Sequence, residues 1–349
     1  MRGIISWGAY LPYRRLDRSQ INAFIGQGGG RGTRTVASFD EDTTTMGVEA
    51  ARLARRGLDA SRHTGPDALI FGTALPAYAD RTNATAIHAA LRLPAEIPAF
   101  DMGSSVGSAT GALRMGLSTV GDRLIVLSDM RTGLAGSADE AAGGDAAAAF
   151  VLGDGDAVVA EYLGSASVTE EFLDRWRAPG EIRSKVWDDK FSEITYVAAG
   201  RRAHAAALAA AGLEASEVDL LAVAAPTARI GSALAAKLGA GRVVDDLTAT
   251  VGATGAAQPG LVLANALEQA EPGQVIALAV CADGAEVILL RATEAIARYT
   301  PARTIEAQLA SGAPLAYGRF LSWRGMIDVE PPRRPEPARP SGTAAARSG

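Results

Sequence analysis

Apolar positions along the chain follow two alternating periods. Short runs that are continuously apolar or repeat every second residue read as strands over 3–10, 67–73, 99–102 and 124–128. A longer run over 147–161 is broken by the turn Gly153-Asp154-Gly155. Between these runs, apolar residues recur at helical spacing. One helix is expected over 44–56, with Met46, Val48, Ala50, Ala51 and Leu53 as its apolar positions, another over 84–91, and a third after Met102 through Met115. The second half repeats the order: helix 201–212, strand 220–224, helix 230–238, strand 242–245 and helix 260–270. A strand pair, 275–280 and 285–291, then turns at Asp283-Gly284. A strand–helix series occurring twice predicts a duplicated α/β fold. The duplication lies in element order, not in residue identity.

Interruptions of this pattern divide the chain. The halves are expected over 1–164 and 165–300, with 165–200 as an insertion or cap, because that stretch is rich in charge and holds Trp176 and Trp187. Regular patterning stops near Pro301, leaving a C-terminal extension over 301–330. Residues 331–349, rich in Pro, Arg, Ser and Gly, read as a disordered tail or linker.

Composition narrows the function classes. The 349 residues hold 34 basic and 39 acidic side chains, a net charge of −5, with no Lys/Arg run, so no nucleic-acid partner is expected. The single cysteine, Cys281, excludes an internal disulfide framework, and His63, His88 and His204 form no metal-ligand spacing. No stretch of about 18 apolar residues lacks a charge or a breaker, so no membrane span is expected. The N-terminus has no signal-peptide pattern, which makes the cytoplasm the expected location.

Several segments, in order, resemble the thiolase superfamily, in particular the branch of 3-hydroxy-3-methylglutaryl-CoA synthase and ketoacyl-ACP synthase III. They are GIISWGAYLPYRRL at the start, SFDEDTTTMGVEAARLA, PAFDMGSSVGSATGALRMG and the hairpin segment ending FVLGDGDAVV. VDLLAVAAPTARIGSALAAKLG and DDLTATVGATGAAQPGLVLANALE follow in the second half. The resemblance covers roughly residues 1–293. It implies two similar halves packed in five αβαβα layers, a homo- or heterodimer with a thiolase-fold protein, and Cys-His-Asn chemistry on a CoA thioester. In such chemistry a thiolate at a helix N-terminus is acylated, while histidine and asparagine stabilise the enolate. No covalent cofactor is implied; the ligand would be the CoA thioester.

The same resemblance locates what this chain lacks. Val106 stands at the nucleophile position, Ala224 replaces the histidine and Ala253 replaces the asparagine. None of these side chains can act as nucleophile, acid, base or donor. A serine nucleophile at Ser104 or Ser105 would need a shift of register, and the bland role for such a serine is a helix cap. Glu41, in Asp40-Glu41-Asp42-Thr43, matches the branch's acid/base glutamate, but acidic residues before a helix also complement its dipole. Arg31, in Gly28-Gly29-Gly30-Arg31-Gly32, is a candidate contact for CoA phosphates, against a plain surface loop. Cys281 reads as a small buried hydrophobe.

Residues 311–340 resemble the connector that precedes a zinc-ribbon/OB-fold module. Within 311–330, Tyr317, Phe320, Trp323 and Met326 are spaced to dock on such a partner or, equally, on this chain's own core. Three functions remain open: a catalytically degenerate subunit beside an active thiolase and a zinc-ribbon/OB-fold protein, an acyltransferase using Glu41 or Ser105, and an acyl-CoA binding module.

Overall fold

The computed structural model describes residues 1–56, 58, 65–103, 105–178, 180–181 and 184–330. Ser104, His63 and the expected tail 331–349 lie outside the described residues. Ten strands form one continuous sheet: β1 (Arg2–Tyr10), β2 (Ala68–Thr73), β3 (Ala99–Gly103), β4 (Arg123–Met130), β5 (Asp145–Asp154), β6 (Ala160–Thr169), β7 (Leu220–Ala224), β8 (Arg242–Val243), β9 (Val275–Cys281) and β10 (Gly284–Ala292). Their spatial order is β8-β7-β9-β10-β6-β1-β5-β4-β2-β3. The duplication is explicit in that order. Three parallel strands, β2, β3 and β4, are followed by antiparallel β5 and β1, and β7, β8 and β9 are followed likewise by β10 and β6. The halves join where β1 meets β6, at Gly3 opposite Glu161 and Ile4 opposite Ala160.

Six helices complete the layers: α1 (Thr43–Arg56), α2 (Ala84–Ala90), α3 (Val106–Ser118), α4 (Asp189–Ala211), α5 (Ala228–Leu238) and α6 (Gln258–Leu267). Alternation along each strand decides which layer each side chain joins. Leu124, Val126, Ala147 and Ala149 face α1 and α2, whereas Ile125, Leu127, Ala146 and Ala148 face α3 and α6. In the second half Ala222, Leu278 and Val280 face the same central pair, while Val223, Ala277, Ala279 and Cys281 face α4 and α5. The result is the duplicated αβαβα arrangement. Every residue of α6 is buried, as the central layer demands.

The region between the halves differs from its expected outline. β6 runs through Thr169 in the middle of the sheet, so a division at 164/165 falls inside a strand. α4 begins at Asp189, twelve residues before the expected start at 201, with Asp188 accepting from the Phe191 N–H at 2.6 Å as its cap. Of the expected 165–200 insertion, only described residues within 170–188 therefore stand outside the regular layers.

The extension folds back onto the first half. Ala313–Pro314 pairs parallel with Arg14 and Arg15, and a short helix, Tyr317–Trp323, buries Tyr317, Phe320 and Leu321 against Leu16, Ile21, Val36 and Ala141. Of the two dockings open from sequence, Tyr317 and Phe320 take the chain's own core, with Trp323 and Met326 half-buried at its margin. Beneath them Asp145, fully buried, accepts from Arg34 at 3.4 Å and from Arg324. Burial holds the Arg34 guanidinium down at about 10, with Asp145 opposing that shift. The Tyr317 hydroxyl donates to Glu140 at 2.8 Å.

Candidate functional site

The candidate residues gather at one edge of the sheet because parallel strands in each half end there. Thr73 of β2 is paired with Gly103 of β3, and β3 runs into α3. Ala224 ends β7 beside Val280 of β9, and the turn after β9 reaches across to α3. The loop before α6 reaches the end of β4, where the Ala256 N–H donates to Asp129 at 2.8 Å. The carboxyl ends of parallel strands, where successive loops converge, are where open α/β sheets hold ligands.

Val106 is the first residue of α3 and half-buried against the central core. Ser105 is the helix N-cap. Its Oγ accepts from the Ser108 N–H at 3.1 Å and donates to Ser108 Oγ at 3.2 Å. That commits the hydroxyl to the helix, and among the described residues no histidine or carboxylate hydrogen-bonds it. Ser105→Ala is therefore expected to lower stability by about 1 kcal/mol, the usual cost of losing a serine cap, measured as a shift in the urea midpoint.

Asp283 is the neighbour that the sequence pattern did not single out. A Cβ built on Gly107 would lie 3.1 Å from Asp283 Oδ2. The carboxylate thus sits beside the first turn of α3, where free backbone N–H groups and the helix dipole favour an anion. Asp283 has φ +50°, the left-handed region that non-glycine residues seldom occupy. The Asp283-Gly284 turn was visible in sequence; its reach to Gly107 is a tertiary fact.

Ala224 is buried at the end of β7, and Ala253 is half-buried. Ala253 bridges the halves through its backbone: its N–H donates to Ala142 O at 2.8 Å, and its carbonyl accepts from Gly144 N at 3.0 Å. Asp129 alongside is fully buried, and desolvation raises its carboxyl above the ordinary range against the pull of Arg131 and two backbone N–H donors.

Glu41 lies before α1, at the same edge. Its Oε1 accepts from the Tyr10 hydroxyl and its Oε2 from the Ser38 N–H at 2.6 Å. Burial and the neighbouring Glu41 raise the Tyr10 hydroxyl above its ordinary value. Capping of α1 falls to Asp42, whose Oδ1 accepts from the Thr45 N–H at 2.7 Å. Glu41 is thus a hydrogen-bonded carboxylate of the turn, and Tyr10 is a partner that sequence reasoning missed, since it reads only as the last residue of β1.

Cys281 is 2% exposed, and burial pushes its thiol up to about 12. Strand parity turns it toward α4 and α5, whereas α3 lies against the opposite face of the sheet. The two described histidines sit on outer helices: His204 on α4, its pKa lowered by burial, and His88 on α2 against Pro94 O at 3.0 Å. Arg31 is exposed in a loop whose flank docks on the 248–251 segment, with Thr33 N donating to Ala249 O at 3.0 Å. Among the described residues, no group of three or more His, Cys, Asp or Glu side chains is placed to hold a metal ion. No described helix is long and apolar enough to cross a membrane.

No protein-family profile matches the chain. Hydroxymethylglutaryl-CoA synthase of Aeropyrum pernix is 31% identical over 188 residues, which are 50% of this chain and 51% of that protein. The Methanopyrus kandleri hydroxymethylglutaryl-CoA synthase is 32% identical over 198 residues, 51% and 54% of the two chains. The chain thus spans about half the length of the curated relatives it matches. Among solved structures, an HMG-CoA synthase complexed with CoA superposes with a TM-score of 0.77 at 16% identity, covering 92% of this chain and 89% of that one. The 3-oxoacyl-(acyl carrier protein) synthase III of Pseudomonas aeruginosa gives 0.73 at 22% identity, covering 84% and 98%. Layer order, strand topology and these likenesses agree: the chain has the thiolase-like fold of those structures, and about half of it is similar in sequence to hydroxymethylglutaryl-CoA synthases.

Proposed function

We propose that this chain is a catalytically degenerate thiolase-fold subunit of an acyl-CoA-processing assembly, structural in role beside an active thiolase and a zinc-ribbon/OB-fold protein. The observation that carries this reading is the state of the α3 N-terminus. Val106, where the resemblance would put a nucleophile, is the first residue of the helix, Ser105 caps it, and Asp283 brings a carboxylate to Gly107. An acyl thioester would need that helix end for its developing oxyanion, and an aspartate carboxylate beside it repels such charge. The other two machinery positions hold Ala224 and Ala253, and Cys281 and His204 face the outer layer. Members of such a catalytic set act as a unit, so losing several leaves little of the rate enhancement.

Association is supported by the edge of the sheet. Among the described residues β3 has a neighbour on one side only, and Phe100 on it is 56% exposed. An unpaired edge strand with an exposed aromatic suits pairing with a second thiolase-fold chain. A CoA thioester as ligand, with Arg31 at its phosphates, is the binding function this reading retains.

The test is CoA release from acetyl-CoA and acetoacetyl-CoA by wild type, Glu41→Ala and Ser105→Ala, each checked for intact fold. All three are expected to match the buffer rate. Release by wild type that either substitution abolishes would overturn the reading in favour of an acyltransferase.

A further inference from the structure

A cleft of about 410 Å³ opens at the C-terminal end of α6, away from the α3 N-terminus, between that helix end, Trp7 of β1 and the segment 296–309. Its size is within the range of small-molecule sites. Its walls include Ile296, Tyr299 and Leu309, and the Trp7 and Tyr299 rings pack at 4.2 Å between centroids. Glu268 stands within it. Both of its carboxylate oxygens share one donor, the Ile305 N–H, at 3.1 and 3.0 Å. A carboxylate has room for about four hydrogen bonds, so most of its acceptor capacity is unmet. The indole Nε1 of Trp7, itself buried, closes no hydrogen bond, although its N–H lies close enough to draw the Glu268 carboxyl downward slightly.

The charge of the cleft is one-sided. Glu268 and Glu306 line it, and none of its lining residues is Lys, Arg or His. Burial raises the Glu268 carboxyl to about 7, Glu306 adds to the rise, and Ile305 N–H and Trp7 oppose it. Tyr299 is the remaining titratable neighbour, and its hydroxyl is held between the Trp7 backbone N–H and carbonyl at 3.1 and 3.0 Å. An anion would be repelled here. A divalent metal would find one half-buried carboxylate and one exposed at the rim, too few hard ligands for a protein cage. A cation with an apolar body fits both the unmet carboxylate and the aromatic wall.

We propose that this cleft binds a small organic ammonium, a primary amine on an apolar or aromatic body, with the ammonium on Glu268 and the body against Tyr299, Ile296 and Leu309. The site is independent of the function assigned to the α3 edge.

Calorimetry of the full chain tests it, with phenethylamine as probe and neutral 2-phenylethanol as control. At about pH 8 Glu268 is mostly ionised and at about pH 6 mostly protonated, so the amine should bind roughly tenfold tighter at the higher pH. The alcohol should bind far more weakly at both. Glu268→Gln, with its fold verified by circular dichroism, should weaken the amine at least about tenfold and abolish the pH dependence. Glu306→Gln, a change at an exposed position, should keep binding and shift its pH midpoint downward, because that charge no longer raises Glu268. Absence of heat from millimolar amine, equal binding of the alcohol, pH-independent binding, or unchanged binding by Glu268→Gln would each overturn the proposal.

Discussion

Asp145→Ala is expected to lower the stability of the folded chain by about 3–5 kcal/mol, the cost of removing one partner from a buried ion pair. Asp145 and Arg34 have fully buried side chains, and that of Arg324 is 5% exposed. Asp145 also accepts from the Ala37 N–H at 2.8 Å and the Arg131 N–H at 3.2 Å. Deleting the carboxylate therefore removes the counter-charge of two buried guanidinium groups, leaves Arg34 to the Glu140 and Arg131 carbonyls, and leaves two backbone donors without their acceptor. Because a domain's whole stability is roughly 5–15 kcal/mol, the variant should unfold at a much lower urea concentration. The extension should loosen with it, since Arg324 ties that segment to the first half. Limited proteolysis should then cut near 311–330 before the rest of the chain. A midpoint shift equivalent to under about 1 kcal/mol would show that the cluster is hydrated or otherwise compensated.

Gly8→Val should be at least as damaging, for a steric reason. A Cβ at Gly8 would lie 2.4 Å from Ala54 N and 2.6 Å from Ala50 O. Both atoms belong to the backbone of α1, so no rotamer change relieves the clash. α1 would have to lift from β1 and open the core around Met46, Ala50 and Ala54. Overpacking alone costs about 1–3 kcal/mol where side chains can adjust; here they cannot, and more than about 3 kcal/mol is expected. Gly8→Ala should already be clearly destabilised in the same urea titration. A Gly8→Val protein with a near-native midpoint would mean that α1 does not approach β1 this closely.

These two cases show where the sequence was informative. Periodicity located nine of the ten described strands of the sheet and the six layer helices, because each buries one face or both against a continuous core. The order of elements exposed the duplication before any residue identity did. Boundaries slipped in two places: at β6, where Ser165–Thr169 fall in the expected insertion although Ala166 and Val168 alternate with polar residues and pack on the core beneath α4, and at α4, whose charged first turns dilute its apolar stripe. From sequence, the resemblance pointed to Val106, Ala224, Ala253 and Glu41 as the candidate site. Its geometry was not legible there. Asp283 meets Gly107, and Arg324 meets Asp145 from 179 positions away; no local pattern encodes either contact. Ser105 illustrates the middle case, since its cap chemistry was foreseeable but its hydrogen bond to Ser108 depends on where α3 begins.

The most direct measurement is the intact mass of the purified wild-type chain after incubation with excess acetyl-CoA and acid quench. A chain whose only cysteine is buried on the outer face of the sheet, and whose helix-capping serine is hydrogen-bonded to Ser108 among the described residues, should keep its unmodified mass, with no CoA liberated beyond buffer. One acetyl group per chain, formed on the wild type and lost in Ser105→Ala, would contradict catalytic degeneracy and establish a covalent acyl-enzyme route.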